Sequence, residues 1–128
     1  MTEGTLGNAD EWGADVGSVW FVIHPGNDTH EQALGFDPSV GFHRYGFLWT
    51  PEEITWAVDG ESVFTNAELP EALSAPDDGR DLGTIMMNAW IGNEHWGGDE
   101  PPAEDQTAAY DYVWYLPEAT SVPEEGPR

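Results

Sequence analysis

The chain has 128 residues, enough for one small domain, and carries 25 acidic residues against three basic ones, which gives a net charge of −22. This charge repels phosphate, so the composition excludes nucleic acid and anionic membrane surfaces as partners. The absence of cysteine excludes disulfides and thiol chemistry.

The charge also favours a particular origin. So many like charges destabilise a compact chain, unless salt shortens the screening length to about 3 Å at 1 M. Seven tryptophans and clear strand patterns argue against an acidic disordered chain. We therefore expect a protein adapted to high salt. Residues 1–8 have neither the basic region nor the apolar stretch of a secretory signal, so we expect the chain as given to stay in the cytoplasm.

Short segments rich in β-branched and aromatic residues alternate with turn clusters along the chain, and no segment predicts a helix. Residues 1–17 are rich in glycine and acids and show little periodicity, and residues 25–31 read as a turn. Asp59-Gly60 is a strong hairpin signal, because both central positions of such a turn need positive φ. The pattern predicts an all-β sandwich or jelly roll. The predicted strands are 18–24, 43–49, 54–58, 61–65, 83–91 and 108–115.

Three stretches resemble glycoside hydrolase family 16: LGFDPSVGFHRYGFLWTPEEITWAVDGESVF (34–64), IMMNAWIGNEHWGG (85–98) and AAYDYVWY (108–115). The resemblance implies a concanavalin-A-like β-jelly-roll sandwich that is incomplete, since the family's N-terminal strands have no counterpart here. It also implies hydrolysis of β-1,3 and β-1,4 glucans with retention, no cofactor in the chemistry, and an extracellular setting. On this basis residues 1–17 are a remnant of the catalytic-strand region, 18–116 the C-terminal half of the jelly roll, and 117–128 an acidic disordered tail.

The resemblance also implies a substrate-binding face. Asn88 and Trp90 are two residues apart on a predicted strand, so they share a face, which in the family binds sugar. His24 matches a residue of the sugar-binding cleft on a neighbouring strand, and Trp96 lies in a loop at the end of the cleft. The alternative is that Trp90 belongs to the core and Asn88 bonds locally. Trp56 is expected in the core.

The family's catalytic motif, Glu-x-Asp-x-Glu or its bulged form, is not intact. In the favoured alignment Glu11 is the acid/base and the nucleophile position holds no carboxylate. A second alignment uses Glu11 as nucleophile and Asp15 as acid/base, and a third uses Glu3. The remaining alternative is that all these acids are solvated charges.

The family commonly binds calcium through an aspartate in the last strand, which corresponds to Asp111. One carboxylate is not a calcium site, because calcium takes 6–8 oxygen ligands. Three interpretations of the whole chain stay open. It is a glucanase that works with a missing N-terminal half, a glucan-binding remnant without catalysis, or a non-functional gene fragment.

Overall fold

The computed structural model describes residues 2–6, 17–24, 28–70, 84–88 and 103–127, with the backbone alone given for 2–6. Within these residues the chain forms six strands and no helix, and therefore no helix that could cross a membrane. The prediction of an all-β chain is confirmed. The strands are β1 (Thr2–Leu6), β2 (Ser18–Ile23), β3 (Asp28–Ala33), β4 (Tyr45–Trp49), β5 (Ile54–Val58) and β6 (Glu61–Asn66).

The strands form two antiparallel sheets of three strands each. The first sheet has the order β1-β2-β3 and the second has the order β4-β5-β6, so every strand pairs with its neighbour in sequence. Each central strand, β2 and β5, is the most apolar strand of its sheet and the most deeply buried. This arrangement fits the jelly-roll fold that the sequence predicts.

The core lies between the two sheets, where alternate residues of β2 and β5 meet. The rings of Phe21 and Trp56 stack across the interface with centroids 4.7 Å apart. His30 of β3 extends this stack, since its ring lies 3.6 Å from that of Phe64 and is nearly parallel to it. Aromatic packing therefore joins the two sheets. The buried members of the cluster are Val19, Phe21, Ile23, Ile54, Trp56 and Val58.

The β5–β6 hairpin turns at Asp59 and Gly60, with φ values of 52° and 86°, as the sequence predicts. The Asp59 carboxylate accepts hydrogen bonds from the Arg44 backbone N–H and from Nδ1 of His43, both at 2.9 Å. Nε2 of His43 lies 3.2 Å from the carbonyl oxygen of Val40. Both ring nitrogens thus face oxygen atoms that can accept a hydrogen bond. Asp59 fastens the hairpin to the start of β4.

We expect the Asp59→Asn variant to be less stable than wild type at neutral pH and to approach the stability of wild type in acid. Partial burial acts to raise the pKa of Asp59, but the Arg44 N–H and His43 outweigh it and hold the pKa below its ordinary value of 3.8. A lowered pKa gives stability that is present above 3.8 and is lost as the pH falls through the folded-state pKa. Thermal midpoints measured from neutral to acidic pH in molar salt test this. Wild type should lose its advantage over the variant in acid, with exposed Glu61→Gln as the control. Parallel curves for Asp59→Asn and wild type would contradict the assignment.

Four segments differ from the sequence prediction. β1 forms where little periodicity was expected, and β3 begins at Asp28, inside the predicted turn 25–31. Both strands form by pairing with β2, which is apolar enough to be central. The predictions of a buried strand at 83–91 and a last strand at 108–115 are wrong for the described residues. Residues 84–88 and 108–115 form no strand and are exposed.

Candidate functional site

The face of the first sheet that is turned away from the core carries a mixed set of side chains. Val19, Phe21 and Ile23 point into the core, so the alternate residues of β2 lie on the opposite face. Trp20 on that face is the register partner of Glu31 on β3. Trp20 and Glu31 are both partly exposed, whereas Ser18 and Val22 on the same face are buried. We call this surface the outer face of the first sheet.

His24, a predicted substrate-binding residue, follows β2 directly and is partly exposed. It lies one residue beyond the end of β2, on the side of the sheet where β3 begins at Asp28. The strand predicted over residues 18–24 ends one residue earlier, at Ile23, so His24 lies outside it.

One of the three acids considered for catalysis lies in a described strand. Glu3 is on β1 as the register partner of Val22, two positions from the pair formed by Thr5 and Trp20. The backbone of β1 therefore brings position 3 next to the middle of β2. Glu11 and Asp15, the acids of the two other alignments, lie outside the described residues.

Glu31 is a carboxylate that sequence reasoning missed. Its Oε1 accepts a hydrogen bond of 2.8 Å from Oγ of Ser18, whose side chain is fully buried. Ser18 and Glu31 are diagonal neighbours across β2 and β3, so this bond fixes the carboxylate beside Trp20. The segment that contains Glu31 was predicted as a turn. The alternation of Ser18-Val19-Trp20-Phe21 was the signal that could have placed Trp20 on the outer face.

A hydrogen-bond chain connects the two sheets at the same end as His24. Nε1 of Trp56 donates to Oδ1 of Asn66 at 2.8 Å, and Nδ2 of Asn66 donates to Oδ2 of Asp28 at 2.7 Å. Asp28 is the register partner of Ile23, the last residue of β2. The chain thus holds the strand ends on either side of the turn that contains His24. Trp56 is only 4% exposed, which confirms its predicted place in the core.

The predicted pair of Asn88 and Trp90 is described only in part. Asn88 is exposed and lies in no strand, and its backbone carbonyl accepts a hydrogen bond from the Tyr110 hydroxyl at 2.9 Å. Trp90 and Trp96 lie outside the described residues. A shared face for Asn88 and Trp90 therefore stays a prediction.

The described residues around Asp111 do not fit a calcium site. Asp111 is exposed, and no group of three acidic or histidine side chains in the described part of the chain could hold a metal ion. Calcium needs 6–8 oxygen ligands, so Asp111 would require ligands from elsewhere. A calcium role for Asp111 stays a prediction.

Comparisons with known proteins agree with the architecture. The chain is 40% identical over 109 residues to a beta-glucanase from Paenibacillus macerans, covering 80% of this chain and 42% of that protein. It is 35% identical over 111 residues to a beta-glucanase from Acetivibrio thermocellus, covering 84% of this chain and 30% of that protein. The chain thus spans less than half the length of these relatives. No solved structure matches it.

The match extends through both sheets. The profile of the family described as glycosyl hydrolases family 16 fits residues 5–114, which include the last two residues of β1 and the whole of β2 to β6. This range also contains the outer face of the first sheet from Thr5 onward. The chain therefore belongs to glycosyl hydrolase family 16.

Proposed function

We propose that this chain acts on β-glucans as part of a retaining glycosidase. The observation that supports this most directly is the outer face of the first sheet, which carries Trp20 and the held carboxylate of Glu31, with His24 following the end of β2, all within the family match. An aromatic ring covers the C–H surface of a sugar, and carboxylate and imidazole groups bond its hydroxyls. The relatives named beta-glucanase indicate the class of substrate.

Retaining hydrolysis sets the chemical requirement. One carboxylate attacks the anomeric carbon while a second carboxylic acid protonates the leaving oxygen, with the two groups about 5–5.5 Å apart. The candidates are Glu11, Asp15 and Glu3. The backbone register of β1 favours testing Glu3 more strongly than the sequence did, because it brings position 3 beside β2.

A second candidate function is glucan binding without hydrolysis. The sequence has no intact Glu-x-Asp-x-Glu motif, which is the observation that favours it. The outer face would then bind glucan while cleavage is slow or absent. Hydrolysis rates and binding affinities measured on the same protein separate the two functions.

The apolar side chains on β4 of the second sheet suggest that further strands pack against it. Tyr45, Phe47 and Trp49 are 40%, 48% and 43% exposed, although their register partners on β5 are core residues. Partial burial, with the Asp59 charge adding to it, raises the pKa of Tyr45 to about 12, which agrees with a place at the rim of the core. We propose that further strands of the jelly roll, the N-terminal half expected from the resemblance, cover this apolar row of β4.

We expect the chain alone to hydrolyse glucan slowly. In molar salt it should release reducing ends from laminarin or lichenan at least about a hundredfold more slowly than the Paenibacillus macerans beta-glucanase. The reason is that the favoured alignment has no nucleophile, and proton transfer by the remaining acid supplies only roughly 10²–10⁴-fold of a far larger acceleration. The assay compares wild type with Glu11→Gln, Asp15→Asn and Glu3→Gln, and uses Glu61→Gln as the control on the second sheet.

The variants distinguish the alignments. A fast rate that Glu11→Gln and Asp15→Asn both abolish would support the second alignment, and loss only in Glu3→Gln would support the third. A fast rate that survives all three changes would contradict every carboxylate assignment made here. No release, together with measurable binding, would support the binding function.

A further inference from the structure

We propose that residues 119–127 form a strap that docks on the β5–β6 turn in high salt and is released from it at low salt. This inference is independent of the proposed function. The C-terminal residues differ in burial: residues 103–118 are exposed throughout, whereas Val122, Pro123 and Gly126 are partly buried. The strap therefore contacts the rest of the protein more closely than the segment before it does.

A hydrogen bond from Arg44 fixes the strap to the turn. Nη2 of Arg44 donates to the backbone carbonyl oxygen of Glu124, which is 80 residues away in the sequence. The backbone N–H of Arg44 donates to Asp59 at 2.9 Å, so the residue that holds the strap is itself fixed to the turn. Because the guanidinium is charged, its bond to the strap is stronger than a bond between two neutral groups.

The turn has room for the strap because Gly60 has no side chain. A Cβ at this position would lie 2.6 Å from the carbonyl oxygen of Glu124 and 2.8 Å from its Cα. These are backbone atoms, which cannot rotate away as the end of a side chain can. Gly41 has nearly the same φ as Gly60, 85° against 86°, but a Cβ at Gly41 would meet no atom of the described residues within 4 Å. A comparison of the two glycines therefore separates what the turn requires from what the strap requires.

The charges around the turn make docking of the strap depend on salt. Asp59 and Glu61 flank the glycine of the turn. The strap brings Glu124 and Glu125 towards them, in a chain whose net charge is −22. These like charges repel one another, and salt screens the repulsion beyond about 3 Å at 1 M. The bond from Arg44 ends on an uncharged carbonyl oxygen at contact distance, so salt weakens it less. Molar salt therefore favours the docked strap, and low salt favours its release.

The test places a nitroxide label on the strap of the whole chain. The sequence has no cysteine, so Pro127→Cys gives a single attachment site at an exposed residue. In molar KCl the label should broaden the NMR signal of the Glu61 backbone N–H, compared with the same sample after reduction of the nitroxide. Gly60→Asn tolerates a positive φ but adds a Cβ, and should lower the ratio of docked to released strap about tenfold, the equivalent of one hydrogen bond. Gly41→Asn, the control matched in φ, should leave the broadening unchanged.

A KCl series tests the salt dependence on the same labelled protein. Lowering the KCl concentration, while the indole signals stay dispersed, should reduce the broadening. Broadening that is absent in molar KCl, or that Gly60→Asn and Gly41→Asn reduce equally, would overturn the strap, and broadening that is constant across the series would overturn its release at low salt. If Gly60→Asn loses its dispersed spectrum, Arg44→Gln replaces it, because this change removes the guanidinium and keeps the backbone bond to Asp59. It should lower the ratio of docked to released strap by a similar factor.

Discussion

Replacing Trp56 by alanine should destabilise the chain by about 3–5 kcal/mol, the usual cost of removing a large aromatic side chain from a core. Trp56 is 4% exposed, stacks on Phe21 at 4.7 Å, and contacts the ring of Phe47 at 5.3 Å. A loss of this size is a large part of the 5–15 kcal/mol that stabilises an ordinary domain. Chemical unfolding in molar salt, followed by far-UV circular dichroism, measures it.

The matched control is Trp49→Ala, which removes the same atoms from a side chain that is 43% exposed at the edge strand β4. It should cost clearly less than Trp56→Ala. A second variant, Trp56→Phe, keeps most of the ring but leaves Oδ1 of buried Asn66 without its donor, at a cost of about 1–3 kcal/mol. Equal losses for Trp49→Ala and Trp56→Ala would contradict the placement of the core.

The thermal midpoint should rise by at least about 10 °C between low salt and molar KCl, since recovery of about 3 kcal/mol shifts a domain of this size by that amount. The cause is the net charge of −22, whose self-repulsion is strong at low ionic strength and screened within about 3 Å at 1 M. Scanning calorimetry across a series of KCl concentrations gives the midpoints.

A charge-reduced variant tests the cause directly. Glu52→Gln with Glu53→Gln neutralises two adjacent acids of the β4–β5 turn, where Thr50 bonds only the backbone atoms of both residues. The variant should melt higher than wild type at low salt and equally at molar salt. A midpoint of wild type that does not change with salt would refute adaptation to high salt.

The sequence predicted well those strands whose neighbours are close in the chain. β4, β5 and β6 follow from alternating aromatic residues, the Thr50-Pro51 turn and the Asp59-Gly60 hairpin, all local signals. β3 could not be found in this way, because Asp-Thr-His-Glu-Gln-Ala has almost no apolar residues. The strand β3 contributes to the core through His30, whose ring stacks on the ring of Phe64 with centroids 3.6 Å apart. An apolar aromatic side chain would be expected at such a packed position.

The residues of the candidate site differ in what pointed to them. His24 was named from the resemblance to glycoside hydrolase family 16, whereas Glu31 depends on pairing between β2 and β3, which local patterns do not encode. The opposite error occurred at residues 84–88 and 108–115. Their alternation is typical of strands, but a strand also needs a neighbour for its backbone hydrogen bonds, and the described residues show none there.

The apolar row of β4 makes the solubility of the protein depend on the same salt that stabilises its fold. At low ionic strength, like-charged copies stay dispersed even though Tyr45, Phe47 and Trp49 are partly exposed on an edge strand of the described sheet. Molar salt removes that colloidal protection, and an uncovered edge with apolar side chains is a template for association between chains. The salt concentration at which the fold is most stable is therefore higher than the concentration at which the protein aggregates least. A stable and monodisperse sample requires a salt concentration between these two.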